Sequence, residues 1–281
     1  MPRLSVLATE HLGDLVTSQT TVAKRRREHD DWWERFPWWG VLVAAVIGAM
    51  GLKIALDADY DLAWKNIYPG VWTTIKATFY AFGIAFVLGL VSGIGQVSRN
   101  VVARNVARAY VELVRGIPIL PLIFTLALVV IPDVSAKLGF ANSVPNFWRA
   151  IIALALIYGA YMAEIFRGGI QSISPGQREA GRSLGLTYPQ TMRYVVLPQA
   201  ARAIIPPMGN DFIAILKDTS LLSVLGVLEL TRNTRQYSAQ TFRFREGYFT
   251  LTFIYLVLVV ALSLSLTQLE KYMSRDREGE R

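Results

Sequence analysis

The 281-residue chain contains no cysteine and only two histidines, His11 and His29. The absence of cysteine excludes a disulfide framework, a thiol nucleophile and a cysteine-bound metal site. Both histidines lie in a polar N-terminal segment, which excludes a buried histidine cluster for zinc or haem. The chain also lacks the phosphate-binding pattern G-x-x-x-x-G-K-[ST] and a Ser/His/Asp constellation. We therefore expect a non-catalytic protein with no cofactor of its own.

Charge is scarce as well. Charged residues make up 18% of the chain and hydrophobic residues 53%, whereas a soluble domain carries about 25% charged residues. Six apolar runs are close to the ~20 residues that a membrane-spanning helix needs. We expect an all-α, polytopic membrane protein with about six transmembrane helices. The predicted spans are residues 37–56, 70–97, 113–132 with an amphipathic lead from 102, 147–167, 203–228 and 248–269.

The net charge of +8 would suit nucleic acid or an anionic lipid surface. The lysines and arginines are concentrated in the two termini and in the segments after the second and fourth spans. The positive-inside rule then places both termini in the cytoplasm and disfavours a nucleic-acid partner. An interfacial aromatic belt is predicted at the start of the first span, formed by Trp32, Trp33, Trp38 and Trp39.

Residues 170–198, called the hairpin below, resemble a water-facing helix-turn-helix between two apolar spans. Ser174 is a candidate N-cap with Gln177 three residues later, which predicts a capping box. Gly185 suits the left-handed residue that ends this first helix.

The second half of the hairpin repeats the same pattern. Thr187 is followed three residues later by Gln190, and we expect the second helix to stop near Leu197 because Pro198 disfavours helical geometry before it. Three interpretations are open: an ordinary helical loop, a DNA reader, or a docking element for a cytosolic partner. Membrane spans at both ends disfavour insertion into a DNA groove.

One motif in the hairpin is specific. It consists of Glu179-Ala180-Gly181, three residues, Gly185, nine residues, Val195, one residue and Leu197-Pro198. This resembles the EAA loop of bacterial ABC-importer permeases, with Gly181 in place of alanine and Val195 in place of isoleucine. The resemblance implies ATPase coupling by Glu179, Ala180, Gly181, Gly185, Leu197 and Pro198.

Three further motifs follow the order found in the polar amino-acid branch of that family (histidine, glutamine, glutamate and arginine types). They are YVELVRGIP from Tyr110, GAYMAEIFRGGI from Gly159 and LKDTSL from Leu216. The resemblance covers residues 70–270. It implies a type I permease fold of five core helices, with one additional helix and outside loop at 37–69. Cytoplasmic tails are expected at 1–36 and 271–281.

The resemblance also implies the partners and the location of the chain. We expect a dimeric ATP-binding subunit that holds ATP and Mg, a second permease subunit, identical or related, and an extracytoplasmic amino-acid-binding protein. The chain would lie in lipid in the bacterial cytoplasmic (inner) membrane and pass a polar amino acid. A non-transporting scaffold that recruits a cytosolic protein through the hairpin is the alternative.

Polar residues within apolar spans are candidate pathway residues, since a charge at the bilayer centre costs about 2.5–3.5 kcal/mol. Asp211 and Asp218 are seven residues apart and project from similar helical faces. The alternative is an internal Lys–Asp pair that holds helices together. Irregular backbone is expected around Pro206 and Gly209. The candidate substrate pathway comprises Tyr161, Asn210, Asp211, Lys217, Asp218, Thr219 and Ser220.

Structural or gating roles are expected at the ends of two spans. Glu164 and Arg167 have a spacing that permits a salt bridge, and we expect Glu112 and Arg115 to repeat it. Gly89 and Gly93 form a GxxxG pattern that predicts close helix packing. The candidate structural residues are Glu112, Arg115, Gly116, Pro118, Glu164, Arg167, Gly168 and Gly169.

Overall fold

The structure is a computed structural model, and it describes residues 38–139 and 144–278, with side chains as far as Tyr272. The predicted N-terminal tail at 1–36, including Trp32 and Trp33, and the end of the C-terminal tail lie outside the described residues. The chain falls into two compact units, Met1–Met50 and Gly51–Arg281. Of the first unit, the structure describes one helical stretch that begins at Trp38.

The described residues form α-helices joined by short turns, and they contain no strand. The helices are α1 (Trp38–Leu56), α2 (Ala58–Ile67), α3 (Gly70–Gln96), α4 (Val101–Gly116), α5 (Ile119–Thr125), α6 (Ile131–Lys137), α7 (Asn146–Gln171), α8 (Pro175–Ser183), α9 (Tyr188–Thr191), α10 (Leu197–Asp218), α11 (Leu230–Thr241) and α12 (Phe244–Glu278). Two π-helical turns (Leu126–Val130 and Met192–Val196) and one 3-10 segment (Thr219–Leu225) link neighbouring helices. The all-α prediction is confirmed.

Five stretches of the described residues are long and apolar enough to cross a membrane. They are α1, α2 with α3, the run from α5 to α6, α7 and α12. Helix α10 has 22 residues, which is long enough, but it carries charged side chains. Counting α10, the number of spans agrees with the six that the sequence predicts.

Helix α7 is the centre of the second unit, and many of its side chains are fully buried. It packs against α3, whose Gly89 and Gly93 face it directly. A Cβ atom at Gly89 would lie 2.5 Å from Met162 Cβ, and one at Gly93 would lie 2.6 Å from Phe166 Cβ. The GxxxG pattern therefore does what its spacing predicts, because only glycine permits this approach of two helix backbones.

Two short helices, α2 and α11, were not expected from the sequence. They lie at the far end of α3 from the hairpin, since a Cβ at Gly70 would meet the backbone of Leu230 at 2.7 Å. Glu229 caps α11 by accepting hydrogen bonds from the backbone N–H groups of Thr231 (2.8 Å) and Arg232 (2.7 Å). Their apolar core is formed by Ala63, Ile67, Leu230, Tyr237, Leu251 and Ile254.

The expected end of the second hairpin helix near Leu197 is wrong. The chain continues from α9 through the π-helical turn Met192–Val196 directly into α10, with Pro198 in its first turn. Helical hydrogen bonding is continuous through this junction, since the backbone N–H of Leu197 donates to Met192 O, so Pro198 removes one backbone donor without ending the helix.

The irregular backbone expected around Pro206 and Gly209 is also absent. Both Pro206 and Pro207 lie inside the α-helix Leu197–Asp218. The carbonyls four residues earlier, at Arg202 and Ala203, belong to exposed residues. Each proline removes one helical hydrogen bond to these carbonyls without interrupting the helix.

Candidate functional site

The hairpin begins with α8, which ends in a Schellman motif. The backbone N–H of Gly185 donates to Arg182 O (2.9 Å), and that of Leu186 donates to Gly181 O (3.2 Å). Gly185 has a φ of +82°, the left-handed conformation that this motif requires and that glycine adopts without strain. The predicted turn at Gly185 is confirmed.

The two predicted capping boxes differ. Gln190 Oε1 accepts hydrogen bonds from the backbone N–H of Thr187 (2.9 Å) and from its hydroxyl group (2.8 Å), which ties down the start of α9. Ser174 occupies the N-cap position of α8 without a side-chain cap bond, so the capping box expected there is wrong. Gln177 instead accepts from Gln199 Nε2 at 3.4 Å, a contact that links the two ends of the hairpin.

Gly181 is the contact point between the two arms of the hairpin. A Cβ there would lie 3.0 Å from Thr191 Cγ2 and 3.4 Å from Val195 Cγ2, which explains glycine where the EAA pattern has alanine. Glu179 is exposed on the same helix. At the tip, Leu184 is 82% exposed. The hairpin is therefore tightly closed inside and presents both charged and apolar side chains outward.

The base of the hairpin is held close to the membrane helices. A Cβ at Gly169 would lie 2.2 Å from Ile204 Cγ1, whereas one at Gly168 would meet nothing within 4 Å. Gly169 thus permits α7 and α10 to cross closely, and Gly168 has no such neighbour among the described residues. Arg178 Nη2 donates to Ile170 O at 2.9 Å and fixes α8 against the end of α7.

Next to this base, Arg115, Glu164 and Arg167 form an ion-pair cluster, called the Glu164 cluster below. Arg167 donates to both carboxylate oxygens of Glu164, from Nε at 3.0 Å and from Nη2 at 2.6 Å, so the predicted Glu164–Arg167 pair is confirmed. Arg115 Nη1 lies 3.6 Å from Glu164 Oε2. Since these side chains are only partly exposed, the cluster ties the end of α4 to α7.

The expected second pair, Glu112 with Arg115, is wrong. Arg115 turns away from its own helix toward Glu164, and its guanidinium lies 5.9 Å from the ring centroid of Tyr161. Glu112 is exposed. A partly buried carboxylate on a neighbouring helix attracts an arginine more strongly than an exposed one on the same helix, because screening by water is weaker there.

A cavity of about 630 Å³, called the polar pocket below, lies between α4, α7 and α10. This volume is in the range typical of sites for small molecules. It brings Asp211 and Asp218 to the same wall, as their spacing predicts. The lining residues are Arg115, Gly116, Ile117, Pro118, Ile119, Tyr158, Tyr161, Asp211, Ala214 and Asp218.

One wall of the polar pocket is a break between α4 and α5. Ile117 (φ −108°, ψ 135°) and Pro118 (φ −56°, ψ 140°) are extended. Non-helical backbone at membrane depth occurs where it is buried in protein or lines a cavity. Gly116 and Pro118, expected to be structural, therefore lie in the pocket wall.

The two carboxylates of the pocket have different partners. Tyr158 donates its hydroxyl hydrogen bond to Asp218 Oδ2 at 2.8 Å. Asp211 Oδ2 is buried and has no hydrogen-bond partner in the described part of the chain. A buried carboxylate oxygen without a donor is costly, and a cationic group in the pocket would remove that cost.

The predicted pathway residues do not form a single stripe. Lys217 and Ser220 line a different cavity of about 500 Å³ between α10 and α12, with Thr231 and Tyr255. Thr219 is fully buried and donates to Leu216 O at 2.7 Å. Asn210 is exposed outside the pocket. Residues adjacent on a helix point about 100° apart, which separates Asp218 from Lys217 and Asp211 from Asn210.

Tyr158 is a pocket residue that the sequence analysis missed. It lies three residues before Tyr161, so the two rings share a helical face and their centroids are 5.8 Å apart. That spacing was the available signal. Its hydrogen bond to Asp218, 60 residues later, could not be predicted from the neighbouring sequence.

Several known proteins are similar to this chain. Residues 85–275 match the family model described as binding-protein-dependent transport system inner membrane component. The chain is 36% identical over 218 residues to the glutamine transport system permease protein GlnP of Escherichia coli K12, covering 75% of this chain and 97% of that protein. It is 35% identical to the L-cystine transport system permease protein TcyB of Bacillus subtilis strain 168, covering 68% and 79% respectively.

Among solved structures, the chain resembles one described as an amino acid ABC transporter crystallised with histidines. The TM-score is 0.67 at 36% identity, and the match covers 74% of this chain and 94% of that one. The MetNI methionine ABC transporter shares the fold, with a TM-score of 0.61 at 21% identity. This protein therefore belongs to the family of binding-protein-dependent transport system inner membrane components.

Proposed function

We propose that the chain is the permease subunit of an ATP-driven, binding-protein-dependent importer of polar L-amino acids. The family membership and the amino-acid permeases at 35–36% identity support this proposal. The observation that carries it is the polar pocket, which combines an arginine with two carboxylates among helices that are long and apolar enough to cross a membrane.

The charges of the pocket match the two charged groups of an amino acid. Asp211, with its unpaired buried oxygen, and Asp218 offer sites for an ammonium group. Arg115 lies near Tyr161, on the side of the pocket toward the Glu164 cluster, and offers a site for a carboxylate. Tyr158 would position Asp218. Under this proposal the ammonium and carboxylate groups of the substrate lie between α4 and α10.

Coupling would follow from the continuity of the hairpin with α10. No loop separates α9 from α10, and Asp211 lies 14 residues beyond Leu197, or roughly 21 Å at the rise of an α-helix. A force on the hairpin would therefore reach the pocket wall through a continuous helical path. In this scheme Glu179, Ala180, Gly181, Gly185, Leu197 and Pro198 carry the docking and the transmission.

Energy would come from outside the chain. A dimeric ATP-binding subunit would bind ATP and Mg and contact the hairpin, and a second permease subunit would complete the pathway. A binding protein would deliver the amino acid at the far end, where α2 and α11 lie. The complex would lie in the inner membrane with both termini in the cytoplasm.

Reconstitution in liposomes tests the proposal. The permease, its ATP-binding subunit and its binding protein should show ATP-dependent uptake with L-glutamine as the first probe. Glu179→Arg should reduce association with the ATP-binding subunit, whereas the matched charge reversal Asp133→Arg, at an exposed site outside the hairpin, should leave that association intact. A complex that assembles but never couples hydrolysis to uptake of any amino acid would favour a scaffold.

The orientation can be tested separately because the chain contains no cysteine. Single cysteines at Ser183 in the hairpin and Thr241 at the far end are both exposed in the structure. In intact spheroplasts, a membrane-impermeant thiol reagent should label Thr241→Cys and spare Ser183→Cys. The reverse pattern would overturn the cytoplasmic placement of the hairpin.

A further inference from the structure

An apolar region lies on a different face of α10 from the polar pocket, where α10 faces α3, α7 and α12. Two adjacent apolar cavities of about 330 Å³ and 240 Å³ share the lining residues Ile205 and Met208, and together they are called the apolar groove below. Farther from the hairpin along α3, the groove is lined by Phe82, Gly209, Phe212, Ile213, Leu262 and Leu266. Nearer the hairpin it is lined by Phe86, Leu90, Ile94, Ile170, Leu197 and Ala201.

The apolar groove offers almost no polar contact. Ser265 is the one polar side chain among its lining residues, and its hydroxyl already donates to Ala261 O at 2.8 Å. A groove of this kind has no group that would recognise an amino acid. Its chemistry suits a hydrocarbon chain.

The length of the groove matches one leaflet of a bilayer. On α3 it runs along Phe82, Phe86, Leu90 and Ile94, a span of 12 residues or roughly 18 Å at the rise of an α-helix. Half of the hydrocarbon core measures about 15 Å. The groove also lies on a different face of α10 from Asp211 and Asp218, away from the polar pocket.

Positive charge marks the hairpin end of the groove. Arg178 Nη2 donates a hydrogen bond to Ile170 O at 2.9 Å, and Ile170 itself lines the groove. Arg178 Nε is buried and has no hydrogen-bond partner within the described chain. Arg193 and Arg202, on either side of Leu197 in sequence, are exposed. Basic pockets between membrane helices on the cytoplasmic side bind anionic lipid headgroups.

We propose that the apolar groove holds an acyl chain of an anionic phospholipid from the leaflet on the hairpin side, with the phosphate of that lipid near Arg178. The lipid would fill the space between α3, α7 and α10 at the point where the hairpin joins the membrane helices. Bound there, it would hold the base of the hairpin against the helix that carries the polar pocket.

Native mass spectrometry of the full-length chain in mild detergent tests the lipid site. The delipidated protein is exposed to phosphatidylglycerol or to phosphatidylcholine with the same acyl chains. We expect the wild-type chain to retain one phosphatidylglycerol in preference to phosphatidylcholine. Ala201→Phe should lose it because the larger side chain fills the groove. The matched variant Ala109→Phe, at an exposed alanine outside the groove, should retain it.

Arg178→Gln separates the headgroup from the acyl chain. This variant should retain the two lipids equally, because the amide cannot offer the charge that prefers phosphatidylglycerol. Retention of lipid by Ala201→Phe at the wild-type level, or no preference between the lipids in the wild-type chain, would overturn the proposal. Neither readout uses transport, so failure here leaves the proposed function intact, and failure of uptake leaves the lipid site intact.

Discussion

Helix α10 separates two regions of opposite character, the polar pocket and the apolar groove. The pocket contains two carboxylates, a tyrosine hydroxyl and an arginine. The groove, less than one helical turn away around the same helix, contains one serine hydroxyl that is already satisfied. One helix therefore presents side chains suited to water and ions on one face and side chains suited to lipid on another.

This difference indicates what each face contacts in the membrane. A charged side chain at the bilayer centre costs about 2.5–3.5 kcal/mol, so Asp211 and Asp218 require a hydrated or counter-charged environment. No such requirement applies to Ile205 or Met208. Under the two proposals the substrate path lies on the pocket face and lipid on the groove face, so substitutions on the two faces should have effects of very different size.

The largest effect is expected at Asp211. Asp211→Asn removes the charge that would pair with the substrate ammonium group, and a hydrogen bond to a charged group is worth about 1.5–3 kcal/mol. The apparent affinity for transported L-glutamine should fall by up to roughly a hundredfold, as measured by uptake into proteoliposomes. On the groove face, Met208→Leu should leave uptake unchanged, because volume-conserving apolar exchanges are tolerated. Equal losses from both variants would contradict the division between the faces.

A somewhat smaller effect is expected at Arg115, and it should depend on the ligand. Arg115→Gln should weaken transport of L-glutamine about tenfold, in line with one lost charge-assisted bond of about 1.4 kcal/mol. Inhibition of uptake by L-glutamine methyl ester, which lacks the carboxylate, should be nearly the same in the variant and the wild type. If the variant lost both ligands equally, Arg115 would act only through its contact with Glu164.

Tyr158→Phe should have an intermediate effect. It removes the hydroxyl that donates to Asp218 at 2.8 Å and keeps the ring. A net loss of about 1 kcal/mol corresponds to roughly a fivefold loss of apparent affinity. Tyr80→Phe, an exposed tyrosine outside the pocket, provides the control for loss of a hydroxyl group. Wild-type affinity in Tyr158→Phe would show that Asp218 does not need this bond.

Features encoded within one or two helical turns could be predicted from the sequence. Gly185 at a left-handed turn, the Thr187–Gln190 contact and the Glu164–Arg167 pair each depend on a spacing of a few residues. The shared face of Asp211 and Asp218 follows from helical periodicity alone. The close approach at Gly89 and Gly93 was also predictable, because a small residue every four positions has few other uses in a membrane helix.

The rest of the polar pocket depends on contacts between distant segments. Arg115 pairs with Glu164 rather than Glu112 because the Glu164 carboxylate becomes partly buried when α4 and α7 pack together. Tyr158 and Asp218 are 60 residues apart. Pro198 follows a rule about the preceding residue that a π-helical turn overrides. For Arg115 and Tyr158 the decisive partner is set by tertiary packing, which a single sequence does not display.

The smallest effect is expected at Ser265, and it tests the groove side of the comparison most directly. Ser265→Ala removes the one polar atom in the apolar groove, but its hydroxyl bonds only to the carbonyl of its own helix at Ala261. The free energy of unfolding should change by no more than about 0.5 kcal/mol, the usual limit for substitutions that remove no needed contact. Uptake should stay at the wild-type level. A clear loss of uptake would mean that Ser265 contacts substrate or water on the path. The groove would then belong to the same route as Asp211, because a lipid-facing wall gains nothing from a hydroxyl that already bonds to its own backbone.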